Sequence, residues 1–243
     1  MIDALLAQSD FFTDRSDGSA VDCVAENKTV CFGWAFDNFD QFTGPLLEHL
    51  LLVVASVVAG FAIALGMAVL SHRRRWLVPT FTGASGVLYT IPSIALFLIL
   101  LPITGRGYLT AVIALTLYTL QIIYRNIVTG LGNVPESAKD SGRGMGMTDR
   151  QLLWRVELPL AVPEIIAGLR IATVSTVAIA TLAIFAGAGG LGQTIYTDGF
   201  LRDVFKTAIV VGSLLAMAMA VIFDALYVVL QRRLAPWRQV RAV

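Results

Sequence analysis

A polar stretch lies between two long apolar segments of the chain, at residues 133–163, and reads NVPESAKDSGRGMGMTDRQLLWRVELPLAVP. The chain around it is mostly hydrophobic, so a hydrophilic insert of this length needs contacts in water. Pro135 can start a short helix there, because its fixed φ suits a first helical turn. Gly144 and Gly146 can supply the turn after that helix, since glycine adopts a positive φ at little cost. Leu158-Pro159 and Pro163 are then expected to lead the chain back into the membrane.

The composition places the rest of the chain in lipid. It is 56% hydrophobic and 14% charged, with a mean hydropathy of +0.74, whereas a soluble domain carries about 25% charged residues. A membrane-spanning helix needs roughly 20 apolar residues, and backbone groups in lipid must be bonded within their own segment. We therefore predict an all-α polytopic membrane protein. Its five spanning segments are expected at about 46–70, 78–101, 108–131, 162–186 and 205–230.

The basic residues predict the orientation, because cytoplasmic loops collect Lys and Arg. They concentrate after the first segment, in the polar stretch and at the carboxyl end: Arg73, Arg74, Arg75, Lys139, Arg143, Arg150, Arg155, Arg232, Arg233, Arg238 and Arg241. This alternation predicts five crossings with the amino end outside and the carboxyl end in the cytoplasm. It divides the chain into an external tail (1–44), a transmembrane domain (45–234) containing the cytoplasmic loop 133–163, and a cytoplasmic tail (235–243).

The predicted external tail contains both cysteines, Cys23 and Cys31. An oxidising exterior permits a disulfide between them, and two free thiols are the alternative. The aromatic residues of the tail cluster just before the first apolar segment, which is typical of the membrane–water interface. A small external cap is therefore expected, with disorder at residues 13–20.

The second apolar segment is interrupted. Gly83, Gly86 and the sequence Thr90-Ile91-Pro92-Ser93 break its regularity, and Pro102 is expected to close it. Proline removes a backbone donor and kinks a helix, so the break is either a bend that lines a path or a packing bend. The candidates for lining a path are Tyr89, Pro92, Ser93 and Tyr118, each of which could equally be a packing residue.

The remaining motifs give no enzyme chemistry. The sequence Gly187-Ala188-Gly189-Gly190-Leu191-Gly192 matches G-x-G-x-x-G, but that fingerprint requires a preceding strand, and here it follows an apolar helix. No G-x4-G-K-[ST] sequence occurs, and no cluster has metal-ligand spacing. Arg125 is interpreted as an interfacial anchor that shares a helix face with Gln121. Asp224 is expected to be paired or hydrated near the inner surface.

The polar stretch resembles the E-A-A-x3-G-x9-I-x-L-P loop of ABC-importer permeases. The matching positions are Asp140, Ser141, Gly142, Gly146, Val156, Leu158 and Pro159. Acid and small side chains are kept, but Gly142 in place of alanine is expected to weaken a helix by about 1 kcal/mol. The sequences TIPSIALF and GAGGLG are similar to those of the glycine betaine/carnitine/choline (osmoprotectant) group of type I permeases. The resemblance runs from Phe32 to Leu234.

The resemblance implies a type I permease fold and a transport subunit rather than an enzyme. The polar stretch would be a coupling loop that docks on a cytoplasmic ATPase, which would bind the ATP and Mg²⁺, leaving no cofactor on this chain. The other implied partners are a second permease, an extracytoplasmic substrate-binding protein and membrane lipids, without nucleic acid. Gly187, Gly189, Gly190 and Gly192 would form a turn near the external mouth. The chain would be multi-pass in a bacterial or archaeal inner or plasma membrane. The alternative is a related importer for methionine or polar amino acids.

Overall fold

The computed structural model describes Cys23, Asn27 and residues 30–202 and 204–235, and within these it contains helices and no strands. The predicted disorder at 13–20 and the tail from residue 236 onward lie outside the described residues. The helices are α1 (Phe32–Asp37), α2 (Asp40–Arg73), α3 (Leu77–Thr90), α4 (Ser93–Thr104), α5 (Tyr108–Gly132), α6 (Glu136–Gly144), α7 (Asp149–Ala186), α8 (Leu191–Gln193, continued by the π-helical Thr194–Phe200) and α9 (Lys206–Leu234).

Four of these helices, α2, α5, α7 and α9, are long and apolar enough to cross a membrane. Helices α3 and α4 meet the same criterion together and are bent by 98° where they join, which makes five crossings when the pair is counted as one. The predicted interruption of the second segment is therefore confirmed. The largest boundary error concerns α7, which begins at Asp149 rather than near residue 162. Pro159 and Pro163 lie inside this continuous helix, directly after its π-helical part, Leu153–Glu157.

The bent pair connects opposite ends of the bundle. At one end, which we call the polar-loop end (residues 132–157), Tyr124 Oη donates to Ser71 Oγ at 3.2 Å. At the other, which we call the glycine-turn end (residues 186–192), Gly107 N–H donates to Ala186 O at 2.8 Å. Helix α3 begins four residues after α2 ends, and α4 ends three residues before Gly107. The pair is therefore a broken span rather than a re-entrant loop.

The bend lies at Ile91 and Pro92. Ile91 is extended, with φ −66° and ψ 128°, because proline disfavours the helical region for the residue before it. The Tyr118 hydroxyl donates to the Ile91 carbonyl, which supplies a partner for a backbone group that the bend exposes. The prediction that Pro102 closes the segment is wrong, because α4 continues past it and ends before Gly105, where φ is +77°.

Helix α5 is at the centre of the bundle, and small residues bring its neighbours close to it. A Cβ added at Gly60 of α2 would lie 1.8 Å from Thr119 Oγ1 of α5. A Cβ added at Gly168 of α7 would lie 2.5 Å from Asn126 Cβ. On the side of α3, Ser85 Oγ donates to Gln121 Oε1 at 2.6 Å.

The amino-terminal segment forms a cap on the start of α9. A disulfide joins Cys23 to Cys31, with the Cα atoms 6.0 Å apart. Asn27 Nδ2 donates to Val204 O at 3.0 Å, and Asn27 Oδ1 accepts from Lys206 N–H at 3.2 Å. The first N–H groups of a helix have no partner within it, so Asn27 satisfies one of these groups in α9.

Candidate functional site

Helix α6 forms most of the candidate site and lies on the surface. Pro135, with φ −55° and ψ 134°, precedes its first helical residue. Gly142 is its one buried residue, while Glu136, Asp140 and Ser141 are exposed. The helix therefore contacts the rest of the protein through a narrow strip at Gly142, and its polar face is exposed.

Three ion pairs organise that polar face. Arg143 Nη1 lies 3.2 Å from both Glu136 Oε1 and Asp140 Oδ1, and Lys139 Nζ lies 3.3 Å from Glu136 Oε2. The hydrogen bond from Arg143 is the main reason that the pKa of Glu136 is below its ordinary value. Any stability from this pairing is lost as the pH falls through that lowered pKa. Exposed ion pairs contribute little, so the cluster mainly orients charges.

Gly146 terminates α6. Its φ is +78°, its N–H donates to Arg143 O at 2.9 Å, and Met147 N–H donates to Gly142 O at 3.1 Å. This pair of bonds around a left-handed residue is a Schellman motif, in which glycine is preferred. The predicted role of Gly144 in the turn is wrong, because Gly144 is the last residue of α6 and has no positive φ.

Gly142 is where α6 contacts α7. A Cβ added there would lie 2.6 Å from Leu152 Cδ1, 3.6 Å from Met147 Sδ and 3.8 Å from Val156 Cγ2. Glycine lowers the helix propensity of α6, but it also lets α6 approach α7 closely, which a larger residue would prevent. The departure from alanine in the motif has a packing reason that the sequence did not reveal.

Helix α7 starts three residues after Gly146, and its N-cap Thr148 forms a capping box that was not predicted from the sequence. Thr148 Oγ1 accepts from Gln151 N–H, and Gln151 Oε1 accepts from Thr148 N–H at 2.9 Å. The signal is the spacing T-x-x-Q before an apolar run. Of the remaining motif residues on α7, Leu158 is buried, Val156 is half-buried and Pro159 is exposed.

A buried carboxylate also joins this region to α2. Glu157 is 3% exposed, and its Oε1 lies 3.6 Å from His72 Nε2 at the end of α2. The sequence analysis missed this pair, because 85 positions separate the two residues and the motif leaves position 157 unspecified.

The four path candidates lie together at the bend, and their environments differ. Tyr118 is 6% exposed and Tyr89 is 44% exposed, with ring centroids 5.9 Å apart in an edge-to-face arrangement. Ser93 is half-buried and Pro92 is exposed. Tyr118 contacts the bend through its bond to the Ile91 carbonyl and through the ring of Tyr89.

The glycine-turn end is held by the first crossing. Gly190 has φ +85°, and its N–H donates to Glu48 Oε2 at 2.9 Å. A Cβ at Gly189 would lie 2.0 Å from the same carboxylate oxygen, and a Cβ at Gly192 would lie 2.0 Å from Thr181 O. Gly192 is therefore required by close packing against backbone, and Gly187 and Gly190 are favoured by their positive φ of +80° and +85°. The sequence analysis missed Glu48, whose signal is an acidic residue within the first apolar segment.

These features define a class of protein. Within the described ranges, no group of three His, Cys, Asp or Glu residues could hold a metal ion. A helical membrane bundle that extends one short amphipathic helix and the start of a spanning helix into water is the architecture of a transport permease with a separate energising subunit.

The comparisons with known proteins agree with this class. Residues 56–236 match the family described as binding-protein-dependent transport system inner membrane component, and the chain belongs to that family. It is 36% identical over 208 residues to the osmoprotectant import permease protein OsmW of Salmonella typhimurium, covering 84% of this chain and 96% of that one. It is 33% identical to the choline transport system permease protein OpuBB of Bacillus subtilis, covering 78% and 86%.

Solved structures show the same fold. An inward-facing form of the MetNI methionine ABC transporter matches with a TM-score of 0.74 at 24% identity, covering 80% of this chain and 96% of that one. An amino acid ABC transporter bound to histidines matches with a TM-score of 0.71 at 18% identity, covering 84% and 99%. The predicted type I permease fold is confirmed. The chain is a permease subunit rather than an enzyme, and it is a multi-pass protein of the bacterial inner membrane.

Proposed function

We propose that this chain conducts osmoprotectants of the glycine betaine, carnitine and choline type in an ATP-driven importer. The observation that carries the proposal is the identity of 33–38% to permeases named for these solutes, over most of the chain. The spanning helices have few ionised side chains, which suits a compact zwitterion or a methylated cation. Solute selection would then depend mainly on a separate binding protein, in which aromatic faces can hold such a cation.

Helix α6 is the proposed docking element for a cytoplasmic ATPase. Asp140, Ser141 and the Gly146 turn would meet the ATPase. Gly142 attaches α6 to α7, and Leu158 packs in the core of the bundle. The ATPase would bind the ATP and Mg²⁺, and this chain would need no cofactor. Support comes from the exposed charged face of α6 and its fixed geometry at both ends.

Movement of α6 would reach the opposite end of the bundle through one continuous helix. Gly142 packs on Leu152 near the start of α7, and α7 is a single helix from Asp149 to Ala186. Its 38 residues extend about 57 Å at 1.5 Å per residue. When ATP closes two ATPases, two copies of α6 would approach each other, and α7 would transmit this motion to the glycine turn.

The proposed assembly has a second permease, two ATPases and an extracytoplasmic binding protein at the glycine-turn end, all surrounded by membrane lipids. The amino terminus would be outside and the carboxyl terminus in the cytoplasm. Arg150, Arg155 and the basic residues after α2 belong to the polar-loop end, which favours the cytoplasm for that end. The disulfide belongs to the start of α9 at the opposite end, which favours an oxidising exterior.

Cysteine labelling tests this orientation. Gly33→Cys should react with a membrane-impermeant thiol reagent in intact cells, and Arg74→Cys should react only after the cells are opened. Both positions are exposed, and the native cysteines are bridged and unreactive while oxidised. Labelling of position 74 from outside would refute the orientation and the docking role of α6.

Uptake measurements test the solute class. Cells that express the whole transporter gene cluster should accumulate labelled glycine betaine or choline, and deletion of this chain alone should abolish that uptake. Methionine is the matched competitor, since the fold is shared with a methionine transporter. Chain-dependent uptake of methionine without betaine or choline would overturn the solute assignment and leave the importer assignment intact.

A further inference from the structure

An ion pair joins two of the candidate spanning helices, α7 and α9. Arg170 Nη2 donates to Asp224 Oδ2 at 2.8 Å, and Arg170 Nε donates to Asp224 Oδ1. Asp224 is paired, which is one of the two outcomes expected from the sequence, and its partner Arg170 was not expected. Arg170 comes 13 residues after Glu157 and 16 before Ala186, which is about 20 Å and 24 Å along the helix. Neither end of the bundle is within reach of its side chain.

The pair is not enclosed by this chain. The side chains of Arg170 and Asp224 are 40% and 38% exposed. An arginine has five N–H donors, and in the described structure Asp224 is the one hydrogen-bond partner recorded for Arg170. Charged groups at this depth face a bundle interior or a water-filled cavity rather than lipid. Something other than hydrocarbon must therefore cover this side of the pair.

The exposed residues of α7 and α9 around the pair indicate whether lipid, or protein and water, covers each surface. Helix α7 packs on α5 through Gly168 and Ala172 and on α9 through Arg170 and Thr173, and a half-buried to exposed strip remains between these contacts. The half-buried and exposed residues of α7 around Arg170 are mainly small or polar, with the large apolar Ile171 among them at 53% exposed: Glu164, Ala167, Ile171, Val174, Ser175 and Ala178. The exposed residues of α9 are mostly large and apolar, with Ser213, Ala218 and Ala225 between them: Leu214, Met217, Val221, Ile222, Leu226 and Val229. The α9 surface suits lipid, and the α7 surface suits protein or water.

We propose that the Arg170–Asp224 pair lies on the water-filled route of the solute and ties α7 to α9 there. The inference rests on the proposed function, since it requires a transport path. Water and a passing zwitterion supply acceptors for the remaining guanidinium donors. A second permease packed tightly on the pair would have to supply buried acceptors of its own. The Thr173 hydroxyl donates to Tyr227 Oη at 3.0 Å less than one helical turn farther along α7, so the α7–α9 contact is polar over this length.

Cysteine accessibility in the assembled importer, reconstituted with its ATPase and binding protein, tests the proposal. Ala167→Cys and Val174→Cys flank Arg170 by about one helical turn, and Ile222→Cys on the outward side of α9 is the control. A charged, lipid-insoluble methanethiosulfonate should modify positions 167 and 174 at least tenfold faster than position 222. Modification rates at 167 and 174 no higher than at 222 would overturn the proposal. They would mean that lipid or the second permease, rather than water, covers the surface around Arg170.

Charge variants give a second readout. Arg170→Gln and Asp224→Asn should each lower uptake at least tenfold, because each leaves an uncompensated charge. The double variant Arg170→Gln/Asp224→Asn should restore assembly while position 167 stays accessible to the reagent. If the double variant assembles and position 167 becomes inaccessible, the pair does not border a hydrated route. The labelling rates at positions 167 and 174 do not depend on which solute is transported. Fast labelling at these positions without uptake of glycine betaine would therefore refute only the solute assignment.

Discussion

Replacing Gly146 by arginine is expected to abolish solute uptake while the chain still folds and assembles. Gly146 has φ +78°, and a left-handed conformation costs a side chain roughly 1–2 kcal/mol. No described atom lies within 4 Å of an added Cβ, so the bundle does not obstruct the first atom of the new side chain, which points away from it. The clash would therefore arise on the ATPase side of α6. Uptake and ATPase activity stimulated by the binding protein, both in proteoliposomes, are the measurements.

Two matched variants separate strain from contact. Gly146→Asn should retain most uptake, because asparagine tolerates a left-handed φ and is small. Gly144→Ala should retain full uptake, because Gly144 is helical, exposed and has no described atom near an added Cβ. Alanine there should favour α6 by about 1 kcal/mol. Normal uptake and ATPase stimulation in Gly146→Arg would show that this turn is not a docking surface.

Replacing Gly192 by alanine is expected to destabilise the permease strongly. The added Cβ would lie 2.0 Å from Thr181 O and 2.8 Å from Thr181 C. These are backbone atoms, so relief requires movement of α7 against α8. Overpacking of this kind costs about 3 kcal/mol, which corresponds to a fall in Tm of roughly 6–12 °C. Thermal unfolding of the detergent-solubilised permease, followed by size-exclusion chromatography, measures the change.

Gly83→Ala is the control for this prediction. Gly83 is within α3, and no described atom lies within 4 Å of an added Cβ. Alanine should leave the Tm unchanged or raise it, because it favours the helix. An unchanged Tm in Gly192→Ala would contradict the packing that places α8 against the end of α7.

The fold class and the candidate docking element could be predicted from the sequence, because both depend on local signals. Apolar runs report the number of crossings, and a proline followed by a glycine at the right spacing reports a short helix and its turn. Reasoning from local signals failed for a proline, because a proline can either end a helix or lie inside it. Pro102 was expected to close the second segment, yet it lies inside α4. Within a packed bundle, the rest of the helix outweighs one missing hydrogen bond.

By itself, the sequence determined that the chain is a helical membrane protein with an interrupted second crossing and a polar element ending at Gly146. These features follow from hydropathy and from the backbone restrictions of proline and glycine, which act between neighbouring residues. Only the tertiary structure decided which distant side chains meet: Glu48 with Gly190, His72 with Glu157 and Arg170 with Asp224. Each pair joins residues more than 50 positions apart. Helix packing brings them together, and no local pattern encodes that geometry.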